Sequence, residues 1–309
     1  MGRRYNSAAG WYKQRFGERV QKVTINAGFT CPNRDGRAGT GGCTFCLNEA
    51  FNPSYCHPEK PIAQQIDEGI AFHAVRYRRA EKFIAYFQAY SNTYAPLAAL
   101  EEIYRQALAH PKIIGLVVGT RPDCVDAEIL DYFTALAARG VFVQIEYGVE
   151  SCYDRTLQHV NRGHTFAQAQ DAIAQTAARG LSTAAHFIFG LPGETRDEML
   201  ASAAVISRLP LSSAKFHQLQ LIKGTVMEQE FARYPERFVT FTLPEYLDFF
   251  IDFLERLSPA IIIERFIGET PPRFVSHTVW GLLRNVEILR LLERRLEERD
   301  TWQGRLFAA

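Results

Sequence analysis

Cysteine is scarce in this 309-residue chain, with six residues in all, too few for a disulfide scaffold. An excess of charge of either sign is also missing. The 35 Lys+Arg face 34 Asp+Glu, for a formal net charge of +1, so no global pull toward nucleic acid or anionic membrane arises and only a local basic face is left. No apolar run follows the basic Arg3 and Arg4, which excludes the pattern of a signal peptide. The longest uncharged stretch, residues 83–100, approaches the length of a membrane span, but Gln88, Ser91, Asn92, Thr93, Pro96 and three tyrosines interrupt it. It reads as a buried strand and a turn. Internal repeats, low-complexity tracts and linkers are absent. A hydrophobic content of 47% and a charged content of 22% are those of a globular protein. The expectation is a cytoplasmic protein with no membrane association and with reduced thiols available to a metal.

Short β-rich runs alternate with longer helical patterns, as in a parallel α/β sheet. The pattern predicts strands over residues 19–26, 82–88, 113–119, 141–148, 183–189 and 214–222. Helices are predicted over 62–79, 97–109, 126–139, 165–179 and 195–208. His110-Pro111, Gly140 and Gly180 mark helix exits, where glycine adopts the left-handed cap conformation at little cost. Past about residue 225, a helix (244–257), a short strand (260–267) and an amphipathic helix (280–298) follow. Six strands with helices between them suit a closed or partial β/α barrel, or a doubly wound sheet. In a barrel the polar motifs at the strand tips would meet on the C-terminal rim.

The cysteines cluster. The loop after the first strand reads Cys31-Pro-Asn-Arg-Asp-Gly-Arg-Ala-Gly-Thr-Gly-Gly-Cys43-Thr-Phe-Cys46, a C-x11-C-x2-C spacing. Such a glycine-rich, polar loop builds no core but can wrap a metal group with its thiolates turned inward. Three soft ligands suit zinc, with Cys56 or His57 completing four, or an iron–sulfur cluster with one iron left open. On the loop alone zinc comes slightly ahead.

The remaining motifs are Thr120-Arg-Pro-Asp123, Gly148-Val-Glu-Ser151, Arg162-Gly-His-Thr165, Gly190-Leu-Pro-Gly-Glu194, the run from Lys215 to Thr225 and the run from Glu264 to Pro272. With the cysteine loop and its Phe45, they resemble the radical S-adenosylmethionine (SAM) superfamily. Within it they look like the YhcC-like group related to the radical-SAM half of the Elongator catalytic subunit. The resemblance implies a partial (β/α)6 TIM-type barrel over residues 1–225, with a C-terminal helical and strand extension, 226–309, packed on it. It implies a [4Fe–4S] cluster on Cys31, Cys43 and Cys46 whose fourth iron binds the amino and carboxylate groups of SAM. Reductive cleavage there would yield a 5′-deoxyadenosyl radical that abstracts hydrogen from an unidentified substrate. A low-potential electron donor of the flavodoxin or ferredoxin type is the implied partner.

For SAM, the resemblance points to Asp123 at the ribose hydroxyls, Glu150 as a second polar group of the rim, Arg162 at the methionine carboxylate, and the turn at Gly190 against adenine through its backbone. Asp after Pro is also a common helix cap, a role open to Asp123 or Asp126. The Gly-Gly-Glu of many superfamily members is replaced by Gln88-Ala-Tyr-Ser-Asn-Thr93, which makes Gln88, Tyr90 and Ser91 further candidates. Cys56, Cys124 and Cys152 form no second cluster, and Cys56-His57 reads as a chance pair. His164 and His186 read as hydrogen-bonded rim histidines. Lys215, His217 and Lys223 are better placed for substrate, since an inward lysine is costly unless paired. The stripe Leu282, Leu283, Val286, Leu289, Leu292 and Leu296 reads as packing against the barrel.

Two substrate classes stand, tRNA and a protein or small molecule. Arg3, Arg4, Lys13, Arg15, Arg19 and Lys22, interleaved with Tyr5, Trp11 and Tyr12 and joined by Arg76, Arg78 and Arg79, are candidates to grip RNA by charge and stacking. The neutral net charge and the lack of an appended RNA-binding module weigh against it. The competing reading is a zinc-dependent RNA-binding or scaffold protein that uses the cysteine loop structurally. It gives no reason for Asp123, Glu150 and Arg162 to gather at strand tips.

Overall fold

The computed structural model describes residues 3–74, 80–276, 280 and 283–308. Its strands are β1 (Val20–Ile25), β2 (Lys82–Phe87), β3 (Ile113–Thr120), β4 (Phe142–Glu150), β5 (Ser182–Phe189), β6 (Ser213–Gln218) and β7 (Ile262–Arg265). They form one sheet in sequential order with every neighbouring pair parallel. Helices connect them: α1 (Ala8–Phe16), α2 (Ile62–Ala74), α3 (Leu97–Leu108), α4 (Ala127–Ala138), α5 (Asp154–His159), α6 (Phe166–Ala178), α7 (Arg196–Ser207), α8 (Val226–Arg233), α9 (Leu243–Arg256) and α10 (Asn285–Glu298). Repeated strand–helix crossovers in sequential order curl the sheet into a partial TIM-type barrel.

The expected strand at 260–267 is β7 and pairs with β6 through Ser213↔Ile262 and Ala214↔Ile263. The sheet therefore runs one strand past the six expected. The sixth strand ends at Gln218, four residues before its expected end at 222. The helix expected over 62–79 is described to Ala74, and Arg76, Arg78, Arg79 and Leu282 lie outside the described residues. Short α1, α5 and α8 have no counterpart in the expectations, because helices of six to nine residues hold too few turns to display a period.

Local chemistry fixes the helix starts. Asp126 accepts from Ile129 N at 2.9 Å, so Asp126, and not Asp123, is the cap of α4. Thr165, Thr195 and Thr242 each form a reciprocal capping box with Gln168, Glu198 and Glu245, satisfying two orphan backbone donors at once. The exits at Gly140 (φ +85°) and Gly180 (φ +73°) are left-handed, as expected.

The two faces of the sheet differ. Val23, Ile25, Ala85, Phe87, Leu116, Val118, Val143, Ile145, Tyr147, Ala185, Phe187, Ala214 and Phe216 point outward into one apolar core beneath the helices. Phe249, Phe250 and Phe253 of α9 pack edge-on or tilted against Phe189 and Phe216 there, each burial stabilising by about 1.5–3 kcal/mol. The inward face is polar, because alternate strand residues face opposite ways: Lys22, Tyr86, Gln144, Glu146, His186 and Lys215 meet inside the barrel. Below them α1 closes the barrel. Trp11, Tyr12 and Phe16 pack on Phe142 at ring distances of 6.0, 6.2 and 5.6 Å, joined by Ile84 and Val117.

Candidate active site

A cavity of about 250 Å³ opens at the C-terminal ends of the strands, and Cys31, Cys43 and Cys46 all line it. The loop that carries them is held from several sides. Arg34 N donates to Cys31 O at 2.8 Å and Cys46 N to Cys43 O at 3.0 Å. Asn33 Nδ2 approaches Cys43 Sγ at 3.7 Å and also donates to Asn161 O. Asn161 returns its own amide to Thr40 O and Gly42 O at 3.1 and 2.8 Å. A side chain on Gly39 would meet Asn33 Oδ1 at 2.2 Å, so the close approach of loop to asparagine requires glycine there. Phe45 packs with Val160, Leu191, Met227 and Phe238, which pins the turn between the last two cysteines.

Arg162 is 7% exposed and sits behind Cys43. It donates to Cys43 Sγ at 3.4 Å and to Gly148 O at 2.5 Å, and stands 3.5 Å from Glu150 Oε1. Its Nε has no partner, nor has the buried Ser91 Oγ, and both residues line the cavity. An unpartnered buried donor is costly, so these atoms are places where a polar ligand gains most. Arg121, 2% exposed, props this arrangement. It forks both oxygens of Asp123 at 2.8 Å and donates to Arg162 O at 2.7 Å. His164 Nε2 lies 3.2 Å from Gly148 O, and burial, reinforced by the charge of Arg162, pushes its imidazole down to about 3.

Deeper in the barrel lies a charge quartet. Glu146 accepts from Lys22 at 2.8 Å, Lys215 at 2.5 Å and His186 Nε2 at 3.0 Å. Glu264 accepts from Lys22 at 2.5 Å and from Gln144 and Ser213 at 2.6 and 2.8 Å. Burial opposes the charge of Glu146, but Lys215 and Lys22 outweigh it and hold the carboxyl well below its usual range. Burial pulls Lys215 down to about 8, which still leaves it charged at neutral pH. Two lysines and two glutamates make the set neutral.

The structure brings Gln88, Glu150 and Arg162 into the wall of the cavity with the three cysteines, along with Tyr90, Ser91, His186 and His217. Asp123 stands outside this wall with its carboxylate taken by Arg121. Gly190 lines an adjoining, more apolar cavity of about 360 Å³ with Phe231, Phe238, Phe241 and Trp280, and Gln218, Leu219, Gln220, Gly268 and Glu269 border both cavities. Cys56 is buried in the core, its thiol 3.6 Å from Gln65 Oε1, and His57 is exposed with Nε2 on Ser54 O at 3.0 Å. Neither lines the cavity, so neither completes a four-ligand set with the loop. Lys215 is spent in the quartet, and Lys223 is exposed and outside the wall. The N-terminal basic and aromatic segment is partly committed within the fold, while Lys13, Arg15 and Arg19 are exposed. Arg3 pairs with Glu293 and Arg4 with Asp300, Lys22 is interior, and Trp11 and Tyr12 belong to the α1 plug.

Sequence reasoning missed Asn33, Arg121, Glu146, Asn161 and Arg265. The alternation Gln144-x-Glu146-x-Gly148-x-Glu150 inside an apolar strand was the available signal for the polar inward face of β4. Nothing in sequence marks Asn33 and Asn161, whose partners are 128 positions apart.

Three thiolates fit an iron–sulfur cluster as a donor set. Among the described residues no group of three or more His, Cys, Asp or Glu converges on a single metal ion, and no helix is long and apolar enough to cross a membrane. Comparison with known proteins agrees with this chemistry. Residues 31–206 match the family described as the radical SAM superfamily and residues 211–298 its C-terminal domain. The chain is 32% identical to the uncharacterized protein YtqA of Bacillus subtilis, covering 99% of this chain and 93% of that one. It is 34% identical to protein YhcC of Escherichia coli K12 over 92% and 85% of the two chains. In fold it is similar to the Elp3 of the archaeon Methanocaldococcus infernus, with a TM-score of 0.68 at 14% identity, spanning 92% of this chain and 64% of that one. The chain belongs to the radical SAM superfamily and is an enzyme of that class.

Proposed function

We propose that this enzyme uses Cys31, Cys43 and Cys46 to hold a [4Fe–4S] cluster at which SAM is reductively cleaved for hydrogen abstraction from a substrate. The observation that carries the reading is that all three cysteines line one cavity together with Arg162 and Ser91, whose Nε and Oγ are buried without a protein partner. A cluster held by Cys31, Cys43 and Cys46 would, once reduced by a low-potential donor of the flavodoxin or ferredoxin type, supply the electron for reductive cleavage of SAM.

The chain's own residues bind, orient and shield. Arg162 offers its free Nε to the methionine carboxylate, a match of guanidinium to carboxylate geometry. Glu150, held at φ +73°, and Ser91 offer acceptors to the ammonium and hydroxyl groups of SAM, with Gln88 at the same rim. Asp123 acts at one remove, fixing Arg121 and through it the backbone of Arg162. The α1 plug and the packed outer core keep water from the barrel interior. The commitment of Trp11, Tyr12 and Lys22 to closing the barrel favours a small-molecule or peptide substrate over tRNA, and a cytoplasmic setting supplies the reductant.

Anaerobic reconstitution, dithionite reduction and addition of SAM test the reading. Brown protein with about four iron and four sulfide per chain and release of 5′-deoxyadenosine are expected, both lost in Cys43→Ala. One zinc per chain with no visible absorption, or turnover unaffected by Cys43→Ala, would refute it.

A further inference from the structure

The wall of the cavity is contributed unequally by the strands. The thiols follow β1, while Gln88, Ser91, Thr120, Gly148 and Glu150 come from the ends of β2, β3 and β4. The β5–β7 side of the same wall carries His186, His217 and Arg265. Because the strands run in sequential order, these three residues stand across the barrel from the cysteine loop. They have no task in the binding of SAM set out above.

Arg265, exposed at the end of β7, differs from the two buried arginines of this wall. Arg121 and Arg162 are both engaged by protein acceptors. Arg265 makes no ion pair or hydrogen bond among the described residues. The nearby acids are not free to serve it, since Glu146 and Glu264 are balanced by Lys22 and Lys215. Glu269, the other acid of this wall, is exposed and forms no ion pair with Arg265.

His217 also lacks a protein hydrogen-bond partner among the described residues. Its ring lies 5.7 Å from that of His186, whose Nε2 is fixed on Glu146. Arg265 and His217 line the same cavity, where burial, and next to it the charge of Arg265, pushes His217 well below its ordinary range. The surrounding wall is braced. Gln218 takes Gly268 N at 2.8 Å and returns its amide to Gly268 O at 3.2 Å, and Gln220 donates to that same oxygen at 3.2 Å. A side chain on Gly268 would meet His217 Nδ1 at 3.2 Å, so glycine keeps the approach to the imidazole open.

We propose that Arg265 and His217 form an anion-binding subsite that takes the carboxylate or phosphate monoester of a small-molecule substrate and thereby orients it across the cavity from the cysteines. A guanidinium without a counter-ion is complementary to such an oxyanion, and the neutral quartet behind it adds no competing charge. The inference rests on the SAM reading for what occupies the other side of the cavity.

Isothermal titration of the cluster-loaded protein, with and without SAM, tests it with three probes: succinate, methyl phosphate and a tRNA transcript. Saturable binding of succinate or of methyl phosphate is expected, and whichever binds identifies the substrate's anion. Arg265→Gln should weaken that binding by about ten- to a hundredfold, the loss of a charge-assisted hydrogen bond, while Arg265→Lys retains part of it. The imidazole 15N signals of His217 should move as the anion binds. Equal affinity in wild type and Arg265→Gln, no binding of either small anion, or Arg265-dependent binding of the transcript alone would overturn the proposal. Binding needs no turnover, whereas the SAM reading fails by absence of 5′-deoxyadenosine, so the two are refuted separately.

Discussion

Replacing Glu146 by Gln removes one charge from the quartet inside the barrel. Glu146 is 1% exposed and accepts from Lys22, Lys215, Gln144 and His186 within 3.0 Å. The substitution leaves two buried ammonium groups facing the single carboxylate of Glu264, a net positive charge sealed beneath the cavity and above the α1 plug. Breaking a buried pair from one side costs about 3–5 kcal/mol, a large share of a domain stability of about 5–15 kcal/mol. Lys215→Met alone leaves the opposite imbalance, with Lys22 against two carboxylates. The double variant retains Lys22 with Glu264 and is neutral again. Its loss should therefore fall short of the sum of the single losses by about 2–3 kcal/mol. Urea unfolding of all four proteins at pH 7, followed by far-UV circular dichroism and compared at equal slope, measures each term. A loss below about 1 kcal/mol for Glu146→Gln, or additive single effects, would show that the quartet is not an electrostatic unit and refute the reasoning.

Acid sensitivity should trace to His164. Its folded pKa of about 3 lies below the unfolded value, so only the unfolded state takes up the proton as pH falls below about 6.5, and stability present above that pH is lost toward pH 3. Wild type should lose about 1.6 kcal/mol more than His164→Gln between pH 6.5 and 5, read from urea midpoints, and parallel losses would contradict the assignment. Two glycines separate packing from site geometry. In Gly115→Ala the methyl meets Phe142 O at 2.3 Å, a backbone atom that cannot give way, and thermal unfolding should reveal a loss of about 1–3 kcal/mol. In Gly148→Ala it meets Arg162 Nη2 at 2.5 Å and Glu150 Oε1 at 2.6 Å, the ends of flexible side chains. That variant should unfold near wild type yet bind SAM about tenfold more weakly, and unchanged SAM affinity would exclude the Arg162–Glu150 pair from the SAM site.

Much of this architecture was legible without coordinates because it depends on local rules. The strand and helix alternation, the threonine caps of α6 and α7 and the glycine exits at 140 and 180 are set by residues within a turn of where they act. The cysteine spacing marked a metal-binding loop in the same way, while leaving zinc and an iron–sulfur cluster both open. What resisted sequence reading depends on residues far apart in the chain. Asp123 and Arg162 both read as SAM contacts at the rim, and only the fold paired Asp123 with Arg121 while leaving Arg162 Nε without a protein partner. The N-terminal tyrosine, tryptophan and basic residues suggested an RNA grip; packing assigned Trp11 and Tyr12 to Phe142 and Lys22 to Glu146 and Glu264, and left Lys13, Arg15 and Arg19 exposed. The sequence by itself determined a parallel α/β alternation and a polar loop carrying three clustered cysteines, because periodicity and spacing are properties of neighbouring residues. Only the tertiary structure decided which charges neutralise one another inside the barrel and which, like Arg265, are left without a counter-ion, because that balance forms only when strands distant in sequence are laid side by side.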